Sequence, residues 1–523
     1  MTAGVRFLNW AAADVQRVAK TYLTANRLVM NYMPRSGKAD DAAAKVNANV
    51  NKPTANMPEK KDAALIAEQE AKLPKAADVP KFTLPAIEKS KLSNGLNVWV
   101  VRHGELPIVS MNLVLNSGAT IEAANKSGVA ALTAALINQG TKRRSAVDIS
   151  NELQSIGVSL DARVGWDSTN ISMQTLTKNL DRALDVYSDV IVNPSFPADE
   201  LENIRRRSLV GFLQRKSNPR SVAEVVFSKI VYGEQPYSRN VFGDEKSIKA
   251  MRREGLASFY QNNYRPNAAT LVVVGDVDPK TLTTKLERAF AEWKAGATTE
   301  AIKETNQAMT AQPSIYLVDK PGAPQSSVVI GQPGVERNNP DFYAVQIMNS
   351  ILGVGSNRRL FMNLRQDKGY TYGAYSRFDF RRGAGPFQAT AEIQSVSTKE
   401  AVAEFIKEFN GIRGAIPVMQ AELEASKQAL IRGFPAGFET VGQISNQLTN
   451  LITFDLPENT FNNYISRVNA VTIEDVKRAA NKYLTPDKMA IIIVGDRKTV
   501  EPNLKQLGYS ITLLDVEGNP VAQ

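Results

Sequence analysis

Two stretches share one hydrophobic layout. EGLASFYQNNYRPNAATLVVVGDV (residues 254–277) and EDVKRAANKYLTPDKMAIIIVGD (residues 474–496) each run from an amphipathic helix pattern through a Tyr/Asn/Pro turn into a β-branched strand that ends on Gly-Asp. The strands at 270–274 and 490–494 are unbroken apolar runs, which predicts sheets covered by helices on at least one face. A third copy of the helix stands near the start, where DVQRVAKTYLT (14–24) repeats DVKRAANKYLT (475–485). Two further segments open alike. KLSNGLNVWVVRHGELPIVSMNLVLNSGA, from residue 91, holds two strand-like runs around Gly-Glu-Leu-Pro, with Asn94-Gly95 as another turn; SIYLVDKPGAPQSSVVIGQPG, from residue 314, does the same around Pro321-Gly322.

If each closing element ends a structural unit, the chain holds the tail of one unit and two whole ones. The predicted fold class is α+β (an α/β sandwich), with two tandem homologous units of antiparallel-rich sheet and helices packed on it. The expected divisions are 1–36, the helix-plus-strand remnant of a unit whose body lies upstream; 37–89, a polar linker; 90–297, the first unit; 298–312, a second linker; and 313–523, the second unit. The first linker, rich in Ala, Lys, Asp, Asn and Pro, reads as solvated chain, partly helical at 60–72.

Composition then narrows the chemistry. The 523 residues, 43% hydrophobic and 22% charged, are a globular mixture, and no apolar run approaches the roughly 18–20 residues of a membrane helix. A net charge of +10 arises from Lys and Arg scattered among acids rather than gathered in a stripe, so no nucleic-acid partner is expected. There is no cysteine, hence no disulfide and no thiolate chemistry, and a single histidine, His103, so no site of two imidazoles can be built from this chain. His103 lies in the polar turn VVRHGELP and reads as a surface residue.

Two stretches carry candidate chemistry. SGVAALTAALINQGT (127–141) is a helix pattern framed by Gly128 and Gly140-Thr141 with no ionisable group inside, and from the residues alone it is a buried structural helix. SILGVGSNRRLFMNLRQDKGYTYGAYSRF (350–378) predicts a helix broken at Gly353 and Gly355, a second helix over 357–367 capped at Lys368-Gly369, and a strand over 370–377. Arg365 then ends a helix and Tyr372 begins a strand, close enough to converge. A fork of guanidinium donors beside a phenol suits carbonyl oxygens or a developing oxyanion. Arg near a helix C-terminus and Tyr in a strand also have ordinary structural reasons.

Taken in order, LSNGLNVWVVRHGELPIVSMNLVLNSGA, GVAALTAALINQGT, PYSRNVFGDEKSIKAM, YRPNAATLVVVGDV and ILGVGSNRRLFMNLRQDKGYTY resemble the inverted-zincin peptidases typified by pitrilysin, insulin-degrading enzyme and mitochondrial processing peptidase. The resemblance spans nearly the whole chain. In active members the helix matching 128–141 carries His-x-x-Glu-His, which binds zinc and activates water; here those positions are Ala131, Ala134 and Ala135. The family's third ligand, a Glu, would fall near Val210 or Gly211, and residues 203–223 hold no carboxylate. The resemblance therefore implies a non-catalytic half, with no metal in this chain and zinc in a partner half that lies upstream in the same precursor or is a separate subunit.

It further implies that two such halves close like a clamshell, as a heterodimer if they are separate chains, and that this half supplies an Arg and a Tyr seven positions apart. That selects Arg365 and Tyr372, with Gly369 in the expected place and Gln366 and Tyr370 departing from the usual Glu and Leu. Gly353, Gly355 and Ser356 resemble the family's glycine-containing loop near the substrate chamber and are the expected substrate-binding residues. Peptides are the expected substrates. The alternative is a catalytically silent scaffold like the core proteins of respiratory complexes. Resemblance to bacterial secreted members points to the periplasm.

Overall fold

Residues 12–23, 82–297, 299 and 313–521 are described by a computed structural model of the protein. The chain divides into two units, Met1–Asp78 and Val79–Gln523. Of the first unit the described part is the helix Ala12–Tyr22, with Asp14 in its first turn and Lys20 in its last, as its macrodipole favours. The strand expected after that helix, the linker up to residue 81 with its helix at 60–72, and all but one residue of the 298–312 linker lie outside the described residues.

The second unit is built on two six-stranded mixed sheets. The first contains β1 (Glu88–Lys91), β2 (Asn97–Arg102), β3 (Ile108–Leu115), β4 (Ser159–Val164), β5 (Thr169–Leu176) and β6 (Ala269–Gly275) in the order β1-β2-β6-β3-β5-β4. The second contains β7 (Ser314–Asp319), β8 (Gln325–Pro333), β9 (Thr371–Phe378), β10 (Pro386–Gln394), β11 (Ala490–Gly495) and β12 (Ser510–Leu514) in the order β12-β7-β11-β8-β10-β9. The fold is α+β, and the sheets are mostly antiparallel. Among these twelve strands, only β2–β6, β7–β11 and β7–β12 pair in parallel.

The two opening runs of each half flank a third strand instead of pairing with each other. The repeated closing strand, β6 or β11, slots between them, parallel to one and antiparallel to the other. Gly275 makes this possible in the first sheet: a Cβ there would lie 2.1 Å from the Ile108 carbonyl oxygen. The halves differ at one edge. β1 comes from before its half and runs antiparallel to β2, whereas β12 comes from the end of its half and runs parallel to β7.

Each sheet has its own core, and each also borrows a helix. On one face of the first sheet Val98, Met111, Leu113 and Leu271 pack with Leu132, Leu136, Tyr187 and Val190. The opposite face, with Val101, Val114, Val272 and Val274, is covered by Val441, Ile444, Leu448 and Leu451 of the helix Val441–Thr453, which belongs to the second half in sequence. Reciprocally, Val222, Val226 and Phe227 of the helix Pro219–Tyr232 cover Val318, Val329, Ile492 and Val494 of the second sheet. Both faces being dry, the middle strands read as continuous apolar runs.

Polar contacts close the seam. The Tyr237 hydroxyl donates to Asp167 (2.9 Å) and accepts from the Gly383 amide (3.0 Å), Asp167 also accepts from the Arg382 amide (2.9 Å), and Arg381 lies over Trp166 and Tyr237. Arg382 donates to the Thr453 carbonyl at 2.7 and 3.0 Å.

Candidate functional site

The framed helix spans Val129–Leu136. Gly128 sits at φ +86°, and a Cβ on it would lie 2.8 Å from the Phe242 carbonyl oxygen, so both conformation and space require glycine. Glu122 is buried and accepts the Gly128 and Ala130 amides at 2.9 and 2.8 Å, satisfying two free donors of the first turn. Burial pushes its carboxyl up to about 7, against the pull of those amides and of Arg239. At the other end Thr141 donates to the buried Asp189 carboxylate (2.8 Å), which also takes Arg143 and Arg144. The frame thus has structural work of its own.

Inside the frame, Ala131 is half-buried, Ala134 buried and Ala135 exposed. The helix Ala198–Ser217 packs beside it and presents Val210 and Leu213 to solvent, with Gly211 between them. These side chains offer methyl groups where a metal needs imidazole nitrogen or carboxylate oxygen, so a zinc ion does not fit here. Among the described residues no three of His, Asp and Glu converge as a metal would need.

Arg365 and Tyr372 are brought together. The helix beginning at Arg359 widens into a π-helical stretch, Met362–Asp367, whose i→i−5 bond runs from the Lys368 amide to the Asn363 carbonyl (3.0 Å). Gly369, at φ +67°, turns the chain into β9. The Arg365 Nη1 donates to the Tyr372 carbonyl oxygen (2.9 Å), and its guanidinium lies 4.9 Å from the centre of the Phe361 ring. Both side chains are exposed, Tyr372 to 83%.

That exposure comes from a bulge. Along β9, Ala374, Ser376 and Phe378 point inward, so simple alternation would turn Tyr372 inward with them. Opposite β10, however, Ala374 pairs with Ala391 and Thr371 with Ile393, which leaves β9 one residue longer between these pairs. Thr371 pins the extra residue. Its hydroxyl donates to the Glu392 carbonyl (2.7 Å) and accepts the Gly373 amide (3.1 Å). The Tyr375 ring lies against Gly373, where a Cβ would meet it at 2.7 Å. Sequence reasoning missed Thr371 and the bulge, although a lone glycine inside a strand is its usual signal.

The glycine loop divides. Gly353 ends the helix Phe342–Gly353 and is buried against β9: a Cβ there would lie 2.5 Å from the Ser376 amide nitrogen, so close packing is its reason. Gly355, at φ +107°, and Ser356 are exposed. His103 is half-buried just past β2, its amide bonded to the Gly275 carbonyl (3.0 Å).

Two tandem sheet-and-helix halves, with no metal donors on the helix that would carry them, define a relative of the inverted zincins that lacks the zinc motif. Residues 99–245 match the insulinase (peptidase family M16) profile and residues 250–430 match the peptidase M16 inactive domain. The chain belongs to the peptidase M16 family, as a member without the zinc motif. An uncharacterized zinc protease of Mycobacterium leprae is 25% identical over 83% of this chain and 96% of its own length. The mitochondrial-processing peptidase subunit beta of Lentinula edodes is 24% identical over 79% of this chain and 90% of its own. Among solved structures, the peptidase M16 inactive domain from Pseudomonas fluorescens superposes with a TM-score of 0.73 at 27% identity, covering 78% of this chain and 98% of that one. Among the described residues no helix is long and apolar enough to cross a membrane.

Proposed function

We propose that this chain is the non-catalytic half of a two-part zinc metallopeptidase and that Arg365 and Tyr372 act on a peptide held at the zinc site of a partner half. The observation that carries this reading is the bulge: an extra residue in β9, pinned by Thr371, turns a tyrosine out of the sheet to 83% exposure beside a guanidinium bonded to its own backbone. Among the described residues no hydrogen bond or ring contact engages the side chain of this tyrosine. Both groups are donors, suited to orienting a peptide carbonyl and steadying the negative charge that develops on its oxygen. Exposed Gly355 and Ser356 supply peptide contacts from the neighbouring loop, and Gly353 supports them by packing. The halves close as a clamshell, a heterodimer if they are separate polypeptides, and the periplasm is the proposed compartment.

The test is reconstituted peptide cleavage. This chain alone should be inactive, and adding the zinc half should give activity that falls about 10²–10³-fold with Arg365→Ala or Tyr372→Phe. If the wild-type chain adds nothing, or the variants match it, the chain is instead a silent scaffold.

A further inference from the structure

A cavity of about 760 Å³ lies outside the Arg/Tyr site. It is walled by the helices Ala198–Ser217 and Pro219–Tyr232, by the segment around Asp244, and by the C-terminal turn at Val516 and Glu517. Neither Arg365 nor Tyr372 lines it. Its volume falls within the roughly 300–1,000 Å³ of small-ligand sites.

Its charges are unequally matched. Lys216 is neutralised within the wall, by Glu517 at 2.7 Å and Glu245 at 3.0 Å. Arg215 and Arg239 are not: among the described residues neither has a carboxylate within ion-pair distance or an acceptor for its guanidinium. Arg215 lies over the Phe212 ring, 4.3 Å from its centre. Arg239 has its Nε buried without a hydrogen-bond partner; of the two acids that act on it, Glu122 already spends both carboxylate oxygens on backbone amides, and Glu234, on the cavity wall, makes no ion pair with it. Burial pushes both guanidiniums down from their ordinary value; no protein anion offsets that cost at Arg215, and at Arg239 the charges of Glu122 and Glu234 offset only part of it. Guanidinium is the side chain best shaped to grip a carboxylate or phosphate with two parallel bonds, and Phe212 and Val222 give the same cavity apolar wall.

We infer that this cavity is a binding site for a ligand carrying a carboxylate or phosphate group, whose oxyanion is held by Arg215 and Arg239 and whose apolar part lies against Phe212 and Val222. The proposal stands on the cavity and its unmatched cations, independent of the role of Arg365 and Tyr372.

The test is calorimetric titration of the whole chain at low ionic strength with three probes: inorganic phosphate, a short apolar peptide with a free C-terminal carboxylate, and the same peptide amidated. Phosphate or the free-acid peptide should bind, the amide at least tenfold more weakly than the acid. Binding of phosphate alone assigns a phosphate-bearing ligand, and binding of the acid peptide assigns a carboxylate. Arg215→Met should weaken whichever anion binds by about tenfold, roughly one charge-assisted hydrogen bond, and Arg215→Lys by less. Because Arg239 adjoins the Glu122 cap and its variant could unfold, it is probed in the wild-type chain by phenylglyoxal labelling, which the bound anion should slow. Binding of none of the probes, equal binding of acid and amide without phosphate, or affinity and labelling indifferent to Arg215→Met and to anion would overturn the site.

Discussion

Glu122 is where single-residue chemistry reaches furthest into the fold. Its carboxyl, pushed up to about 7 by burial from an ordinary 4.5, holds the first turn of the stripped helix. Because the folded pKa exceeds the unfolded one, the folded chain keeps a proton between about pH 4.5 and 7 that the unfolded chain has released. The contribution of this residue to stability is therefore greatest below that window, falls as pH rises through it, and is level above it. Glu122→Gln should lower stability overall, since one carboxamide oxygen cannot serve both amides, and should flatten the decline of Tm between pH 5 and pH 8. An unchanged slope would remove Glu122 as its source. The stripped positions invite the opposite experiment. With Ala131 half-buried and Ala135 exposed one turn apart, Ala131→His with Ala135→His should bind zinc in dye competition without gaining hydrolysis, because Val210 and Gly211 supply no third ligand.

At the scale of elements, the decisive unit is the pair formed by the π-helical stretch and the bulged strand. The extra residue in each widens or kinks a regular repeat at the point where a side chain has to be re-aimed. Thr371→Val removes the hydroxyl that joins the Glu392 carbonyl to the Gly373 amide while keeping the side-chain volume. It should cost about 1 kcal/mol of stability, and in the reconstituted assay it should lower activity although Arg365 and Tyr372 are intact. Retained activity at reduced Tm would show that the bulge holds its shape without the hydroxyl.

At the scale of the molecule, the exchanged helices make the two halves one folding unit. The first sheet without the helix Val441–Thr453 would expose Val101, Val114, Val272 and Val274 as an apolar face. A fragment ending at residue 297 is accordingly expected to aggregate when produced alone, and to become soluble when the remaining residues are co-expressed. Phe227→Ala, which empties a fully buried ring from the second sheet's outer face, should cost about 3–5 kcal/mol. It should shift a single calorimetric transition rather than split it, whereas two separate transitions would mean that the halves fold independently.

What the sequence by itself determined is local and periodic. The repeated helix–turn–strand endings, the framing glycines and the apolar strands follow from residue spacing and backbone preference, and the missing zinc donors follow from Ala131, Ala134 and Ala135 once the family resemblance assigns those positions. The Arg365–Tyr372 spacing was legible for the same reason, since a helix end and a strand start seven residues apart have little room to diverge. The tertiary structure decided the rest. The slot of β6 between β2 and β3, the helix exchange and the cavity around Arg215 and Arg239 depend on partners more than a hundred residues apart in the chain. The outward turn of Tyr372 depends on register against β10. Alternation along β9 points that ring inward, and only hydrogen-bond pairing with another strand, which no local pattern encodes, sends it out into solvent.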